Sequence, residues 1–218
     1  MPIRFEDRCE AGRRLAGRLR DLLGGQAGDA VVLGLPRGGV PVAAEVARAL
    51  AAPLDVLMVR KVGAPGQPEV GVGAIADGDP PLFDDGTLEF LGLTPGRLAA
   101  DVERERAELR RRERVYRRYP PVRLSDRTVV LVDDGLATGV TARAALRHLR
   151  AQRPGRLVLA VPVGAAQAVA DLRREADDLV CVHQPQPFRA VGCWYQDFHQ
   201  VSDQEVIGVL REFHAESV

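Results

Sequence analysis

Short aliphatic runs alternate with amphipathic stretches along most of the chain. The runs are residues 30–35 (AVVLGL), 54–59 (LDVLMV), 129–132 (VVLV), 157–163 (LVLAVPV) and 178–183 (DLVCVH). A strand that is apolar at every position must be covered on both faces, and the helices between such strands supply the cover. Helical spacing is read over residues 10–23, where Leu15, Leu19 and Leu22 share a face. It is read again from Val40, with Pro41 near the helix start, over 141–152, and over about 165–176. The expectation is an α/β fold: a parallel sheet with helices on both faces.

With 218 residues, the chain is long enough for one domain with a sizeable core, or a core plus a small cap. Hydrophobic residues make up 46%, and 30 basic residues face 30 acidic ones. That composition argues against a disordered chain and gives no overall pull toward nucleic acid or membrane. No apolar run approaches the roughly 20 residues of a membrane span. The opening MPIRFEDRCEAGRRL has no apolar signal core, so a cytoplasmic protein is expected. Cys9, Cys181 and Cys193 form no CxxC pair, which argues against a disulfide framework and a structural zinc site. His148, His183, His199 and His214 are scattered without ligand spacing and read as structural or surface residues. Among the 30 basic residues the only lysine is Lys61.

Ligands of parallel α/β sheets sit beyond the carboxyl ends of the strands. Three loops lie there: PRGG (36–39), RKVGAPG (60–66) and DDGLATGVT (133–141). In the last, small residues open a helix, where backbone N–H groups attract anions, and Thr138 and Thr141 add hydroxyl donors. No lysine is present, so the Walker pattern is absent and any phosphate cradle is of another kind. An ordinary strand–turn–helix with a threonine cap is the alternative. Asp133 and Asp134 would repel a phosphate placed directly against them. They make sense as partners of vicinal sugar hydroxyls, or of a divalent cation, a few ångströms along; a surface acid pair capping the helix is the plainer alternative.

Residues 129–141, VVLVDDGLATGVT, resemble the fingerprint of the type I phosphoribosyltransferases: four hydrophobics, two acids, a short turn and a Thr-Gly. The resemblance implies that Ala137, Thr138, Gly139, Val140 and Thr141 hold the 5′-phosphate of phosphoribosyl pyrophosphate (PRPP). It implies that Asp133 and Asp134 contact the ribose 2′ and 3′ hydroxyls and are candidate ligands for Mg2+. Many members carry an aspartate, a candidate base, where this chain has Ala137. LGLPRGGVPVA resembles the family's pyrophosphate loop, with Gly38 and Gly39 turning backbone to the anion, Arg37 adding charge and a non-proline cis peptide at Pro36–Arg37. Arg60-Lys61 resembles the Arg-Lys that follows a core strand in the adenine and orotate members, where the lysine reaches pyrophosphate. The Gly/Pro-rich residues 62–73 are then expected as a mobile loop that closes over the reaction. Residues 187–198, PFRAVGCWYQDF, occupy the place of the family's acceptor-binding hood. Phe188, Trp194 and Tyr195 would stack on a flat heterocycle there and Asp197 would read its edge; alternatively the aromatics form the hood's own small core.

GVGAIA (71–76) fits a dinucleotide pattern but follows a Pro-rich loop and precedes no helix, so it is set aside. GAIADGDPPLFDD reads as a hairpin around Asp77-Gly78. Thr94-Pro95 opens a long helix to about Tyr119, dense in arginine between Arg104 and Arg118. Glu108–Arg112 and Glu113–Arg117 have i,i+4 spacing, which favours a solvated, ion-paired helix over a nucleic-acid surface. Its stripe of Leu98, Val102, Leu109 and Tyr116 is a candidate contact with another subunit. The expected division is a core over 1–183, with the charged helical insertion at about 94–119, and a hood with a C-terminal helix over 184–218. The expected activity is Mg2+-dependent transfer of ribose 5-phosphate from PRPP to a nitrogen acceptor, a nucleobase, with release of pyrophosphate, by a homo-oligomer. Two rivals are a non-catalytic PRPP-sensing regulator and a PRPP-using hydrolase or transferase without a nucleobase acceptor.

Overall fold

The computed structural model describes residues 4–76, 78–116 and 122–215. The expected hairpin corner at Asp77 and the helix end at 117–119, with Arg117 and Arg118, lie outside them. In chain order the elements are α1 (Arg8–Leu23), β1 (Ala30–Gly34), α2 (Gly39–Leu50), β2 (Leu54–Val56), β3 (Val59–Ala64), β4 (Gln67–Ala76), β5 (Leu82–Phe83) and α3 (Asp85–Leu91). There follow α4 (Ala99–Tyr116), β6 (Thr128–Val132), α5 (Val140–Ala151), β7 (Arg156–Val163), α6 (Ala166–Leu172), β8 (Asp178–His183) and α7 (Asp203–Ala215).

Five strands form one sheet in the order β2-β1-β6-β7-β8, every neighbouring pair parallel. The aliphatic runs explain it: β1 and β6 are buried at every position, so both faces need cover. Side chains alternate between faces. Val32, Val130 and Val158 join the core shared with α1, α2 and α7, whereas Leu33, Leu131 and Leu159 join the core under α5 and α6. The chain runs from β1 outward to β2, then crosses back to lay β6 on the other side of β1. Strand order therefore reverses between β1 and β6, and a crevice opens there at the carboxyl ends.

Two expectations need correction. Residues 54–59 are not one strand: β2 ends at Val56 and Val59 opens β3, in a separate antiparallel sheet ordered β3-β4-β5. Residues 62–73 are not an irregular loop either. They lie in a hairpin of β3 and β4 that pairs Lys61 with Ala74 and Val62 with Gly73, and turns at Gly66 with φ 75°. Register shifts between Val62 and Ala64 absorb the glycines, and Val62, Val72 and Ala74 are buried beneath it. GVGAIA lies within β4, so no strand–turn–helix exists there.

A 3-10 turn, Pro95–Leu98, leads into α4. Leu98, Val102, Leu109 and Tyr116 are buried against this chain's own core, with Val62 and Ile75, which corrects the expected subunit contact. The polar face carries the expected pair, with Arg112 Nε 2.9 Å from Glu108 Oε1. The hood pairs with residues near the N-terminus through an isolated bridge between Phe5 and Tyr195. Phe5 N donates to the Trp194 carbonyl at 2.8 Å, Gln196 N to Phe5 O at 2.8 Å and Asp197 N to Glu6 O at 2.9 Å. No helix among the described residues is long and apolar enough to cross a membrane.

Candidate active site

Register brings the first two loops together. Gly34 pairs with Val132, so the turns that leave β1 and β6 start side by side. Leu35 N donates to Val132 O at 2.9 Å, which holds the Pro36–Arg37 loop, with its cis peptide, against Asp133 and Asp134. A Cβ on Gly38 would fall on the Asp134 carboxylate, and one on Gly39 would lie 2.7 Å from Val132 O and 2.9 Å from Asp133 Cα. The two glycines were expected to bare backbone to an anion; the structure shows that they let one strand-end loop seat on the other.

Beyond β6 the chain makes the turn into α5. Leu136 N donates to Val163 O at 2.9 Å and Ala165 N to Leu136 O at 2.8 Å, tying the turn to the end of β7. Gly139 caps α5 with φ 79°, a left-handed conformation that side chains disfavour, and its missing Cβ would meet Leu172 Cδ1 at 3.0 Å. Among the described residues, the N–H groups of Ala137, Thr138, Gly139, Val140 and Thr141 donate to no protein acceptor. They line a cavity of about 190 Å³ with Asp133, Lys61, Gly71 and Val191. Orphan amides at a helix start, with two threonine hydroxyls, make an anion cradle. Lys61 reaches it from β3, over Gly71, whose Cβ would lie 2.9 Å from Lys61 Cδ.

The two acids have different surroundings. Asp133 lines the cavity and accepts from Asp134 N at 2.9 Å. Burial, and then the neighbouring Asp134 charge, push its carboxyl well above the ordinary range. Asp134 is held by Arg8 and does not line this cavity. Its Oδ2 takes Arg8 Nε and Nη2, both at 2.9 Å, while Tyr195 Oη donates to its carbonyl at 2.5 Å. Burial raises Asp134 as well, opposed by Arg8. Sequence reasoning missed Arg8. A single arginine in an arginine-rich chain, so far in sequence from the acids, carries no local signal.

Other expected residues lie elsewhere. Arg37 faces Asp203 of α7, Nη1 to Oδ1 at 3.7 Å. Arg60 is ion-paired to Glu105 of α4 at 2.6 Å and lines a separate cavity of about 420 Å³ that Lys61 also borders. Tyr195 is 3% exposed and packs on Phe5 and Phe198, with ring centroids 5.5 and 5.0 Å away, so it belongs to the hood's own core rather than to a stacking surface. Trp194 stacks with Phe188 at 6.5 Å and meets His183 edge-on at 5.2 Å. Asp197 is exposed and accepts His199 N at 3.0 Å. The hood residue that borders the cradle is Val191.

Among the described residues no group of three or more His, Cys, Asp or Glu is arranged to hold a metal. The acid pair offers one or two carboxylates, the number Mg2+ commonly takes from protein when phosphates and waters complete its shell. The residues therefore fit a Mg2+ carried mainly by a phosphorylated ligand, with Asp133 nearest the cradle.

A parallel five-stranded sheet whose order reverses at a hooded crevice is the type I phosphoribosyltransferase-like fold. Residues 6–196 match the family model of the phosphoribosyl transferase domain, and the chain belongs to that family. Over 211 residues, 96% of the chain, it is 46% identical to two Mycobacterium tuberculosis proteins named "Putative phosphoribosyl transferase", Rv0571c and MT0597. The alignment takes in 47% of their length, so the chain spans about half of these curated relatives. The crystal structure of TT1426 from Thermus thermophilus is 44% identical, with TM-score 0.78 over 97% of this chain and 99% of that one. A Neisseria gonorrhoeae protein solved with bound ppGpp shares the fold at 14% identity, TM-score 0.56, over 97% of each chain.

Proposed function

We propose that the chain is a Mg2+-dependent phosphoribosyltransferase that moves ribose 5-phosphate from PRPP to a nitrogen acceptor and releases pyrophosphate. One observation carries the reading: a cavity lined at once by residues 137–141, whose amides donate to no acceptor among the described residues, by Asp133 and by Lys61. The amides and the hydroxyls of Thr138 and Thr141 would take the 5′-phosphate. Asp133 and Asp134 would take the ribose diol and favour the positive charge that develops on the ring as its bond to pyrophosphate stretches. Lys61 and Arg37 would meet the leaving group, with Arg37 first released from Asp203. Bound Mg2+ would supply charge neutralisation on the pyrophosphate oxygens. The Gly38 N–H of the same loop would complete that contact, whereas the Gly39 N–H already donates to Leu35 O at 3.0 Å.

The acceptor is a nitrogen nucleophile that needs no base from the turn, because Ala137 has none to give. A nucleobase remains our reading of the acceptor class, with Phe188 and Trp194 among the hood rings not fully buried. A cytoplasmic, homo-oligomeric enzyme is the setting this activity implies. The test is pyrophosphate release by purified protein with PRPP, Mg2+ and a panel of nucleobases and other nitrogen acceptors. Release that depends on one acceptor is expected. PRPP binding with no release from any acceptor would replace this reading with a PRPP-sensing regulator, and acceptor-independent release with a hydrolase.

A further inference from the structure

Arg8 is 7% exposed, unusual for an arginine, and its surroundings account for the burial. Nε and Nη2 both donate to Oδ2 of Asp134, and Nη1 donates to the His199 carbonyl at 2.8 Å. The guanidinium carbon lies 3.9 Å from the centroid of the Phe198 ring, a cation–π geometry. On its other side the Asp134 carboxylate abuts Gly38, where a Cβ could not fit. The carboxylate is thus boxed between the strand-end loop and a buried guanidinium. That guanidinium also grips the segment 198–199, which continues the pairing of residues 194–197 with residues 5–6.

We propose that Arg8 is a positioning residue for the acid pair: it holds Asp134 through Oδ2, leaves Asp133 facing the cavity, and makes that arrangement depend on a seated hood. The inference rests on the PRPP reading above. A buried ion pair is poor evidence of stability by itself, since burying both charges costs about what their attraction returns. A fixed fork on one oxygen, with a third donor on a neighbouring segment, fixes orientation instead, which a lysine would reproduce only in part. Removing Arg8 leaves Asp134 without the two donors that fix its Oδ2, and the side chain is then free to turn.

The test is PRPP titration by calorimetry, with Mg2+ and without acceptor, on wild type, Arg8→Gln, Arg8→Lys, Asp134→Asn and the double variant Arg8→Gln/Asp134→Asn, each checked by thermal melt. Arg8→Gln should weaken PRPP binding about tenfold or more, Arg8→Lys should restore part of the loss, and the double variant should bind no worse than the weaker single one, because the two residues act through one pose. Arg8→Gln that folds and binds within about twofold of wild type overturns the proposal, and so do additive losses in the double variant. Should Arg8→Gln not fold, Phe198→Leu removes the ring beneath the guanidinium while leaving its hydrogen bonds. It should weaken PRPP binding about threefold, and unchanged affinity overturns the proposal. Wild-type protein that binds no PRPP overturns the functional reading and this inference with it; binding that ignores Arg8 overturns the inference alone.

Discussion

Asp133 carries the sharpest conflict between stability and function. Burial and its acidic neighbour hold its folded-state value above the unfolded one. The sign follows: the fold is unpenalised by this group below the unfolded value, and stability falls as pH rises through the folded value. Asp133→Asn keeps an oxygen for the Asp134 N–H yet carries no charge. It should therefore raise Tm at neutral pH, with the gain vanishing near about pH 4, while PRPP binding falls at least about tenfold. Melts across that pH range beside calorimetry check both halves; a lower Tm at every pH would refute the assigned environment. Gly38→Ala tests the contact between the loops. The backbone there is ordinary, φ −62°, so the added methyl meets only the Asp134 carboxylate. About 1–3 kcal/mol of destabilisation by urea titration is expected, with loss of PRPP binding. The acid pair, the cradle and Lys61 were all legible in sequence, because their chemistry sits in contiguous residues. Arg8 was not, because its partner is distant in sequence. Tyr195 was left open between a stacking surface and the hood's own core, because ring type alone does not say which side of a small core a side chain faces.

Helices and parallel strands were legible from period and apolarity. The β3–β4 hairpin was not: its glycines and prolines imitate a loop, and only cross-strand pairing with small residues and bulges reveals sheet. Helix α4 gains a role that its charge pattern did not advertise. At its end Tyr116 hydrogen-bonds Asp203 of α7, which Arg111 also reaches at 3.1 Å and Arg37 at 3.7 Å, while Glu105 holds Arg60 beside Lys61. One helix thus braces both segments assigned to pyrophosphate. The hydrogen bond from Tyr116, then that from Arg111, holds the Asp203 carboxyl below its ordinary range. Such a group stabilises the fold above its unfolded value and loses that contribution as pH falls through the folded value. Asp203→Asn should cost about 0.5–1.5 kcal/mol at neutral pH, and wild type and variant should converge as pH drops below about 4. Urea titrations at the two pH values read it, and an equal gap at both would contradict the brace.

Across the whole molecule, residues 194–197 of the hood pair with residues 5–6, a contact between segments far apart in sequence. Phe5, fully buried beside Tyr195, is the anchor of that contact. Phe5→Ala should cost about 3–5 kcal/mol, read as a lower Tm, and should weaken PRPP binding through the hood's hold on Arg8. Stability lost with PRPP affinity unchanged would separate hood from site. The fold itself follows from runs of aliphatic residues that demand two-sided cover, and the site from the place where strand order reverses. A crystal structure of the protein soaked with PRPP and Mg2+ tests the account most directly. The 5′-phosphate should sit on the amides of residues 137–141 with the ribose diol against Asp133 and Asp134. PRPP bound elsewhere, such as in the cavity beside Arg60 and Arg104, with the cradle left to water, would contradict it.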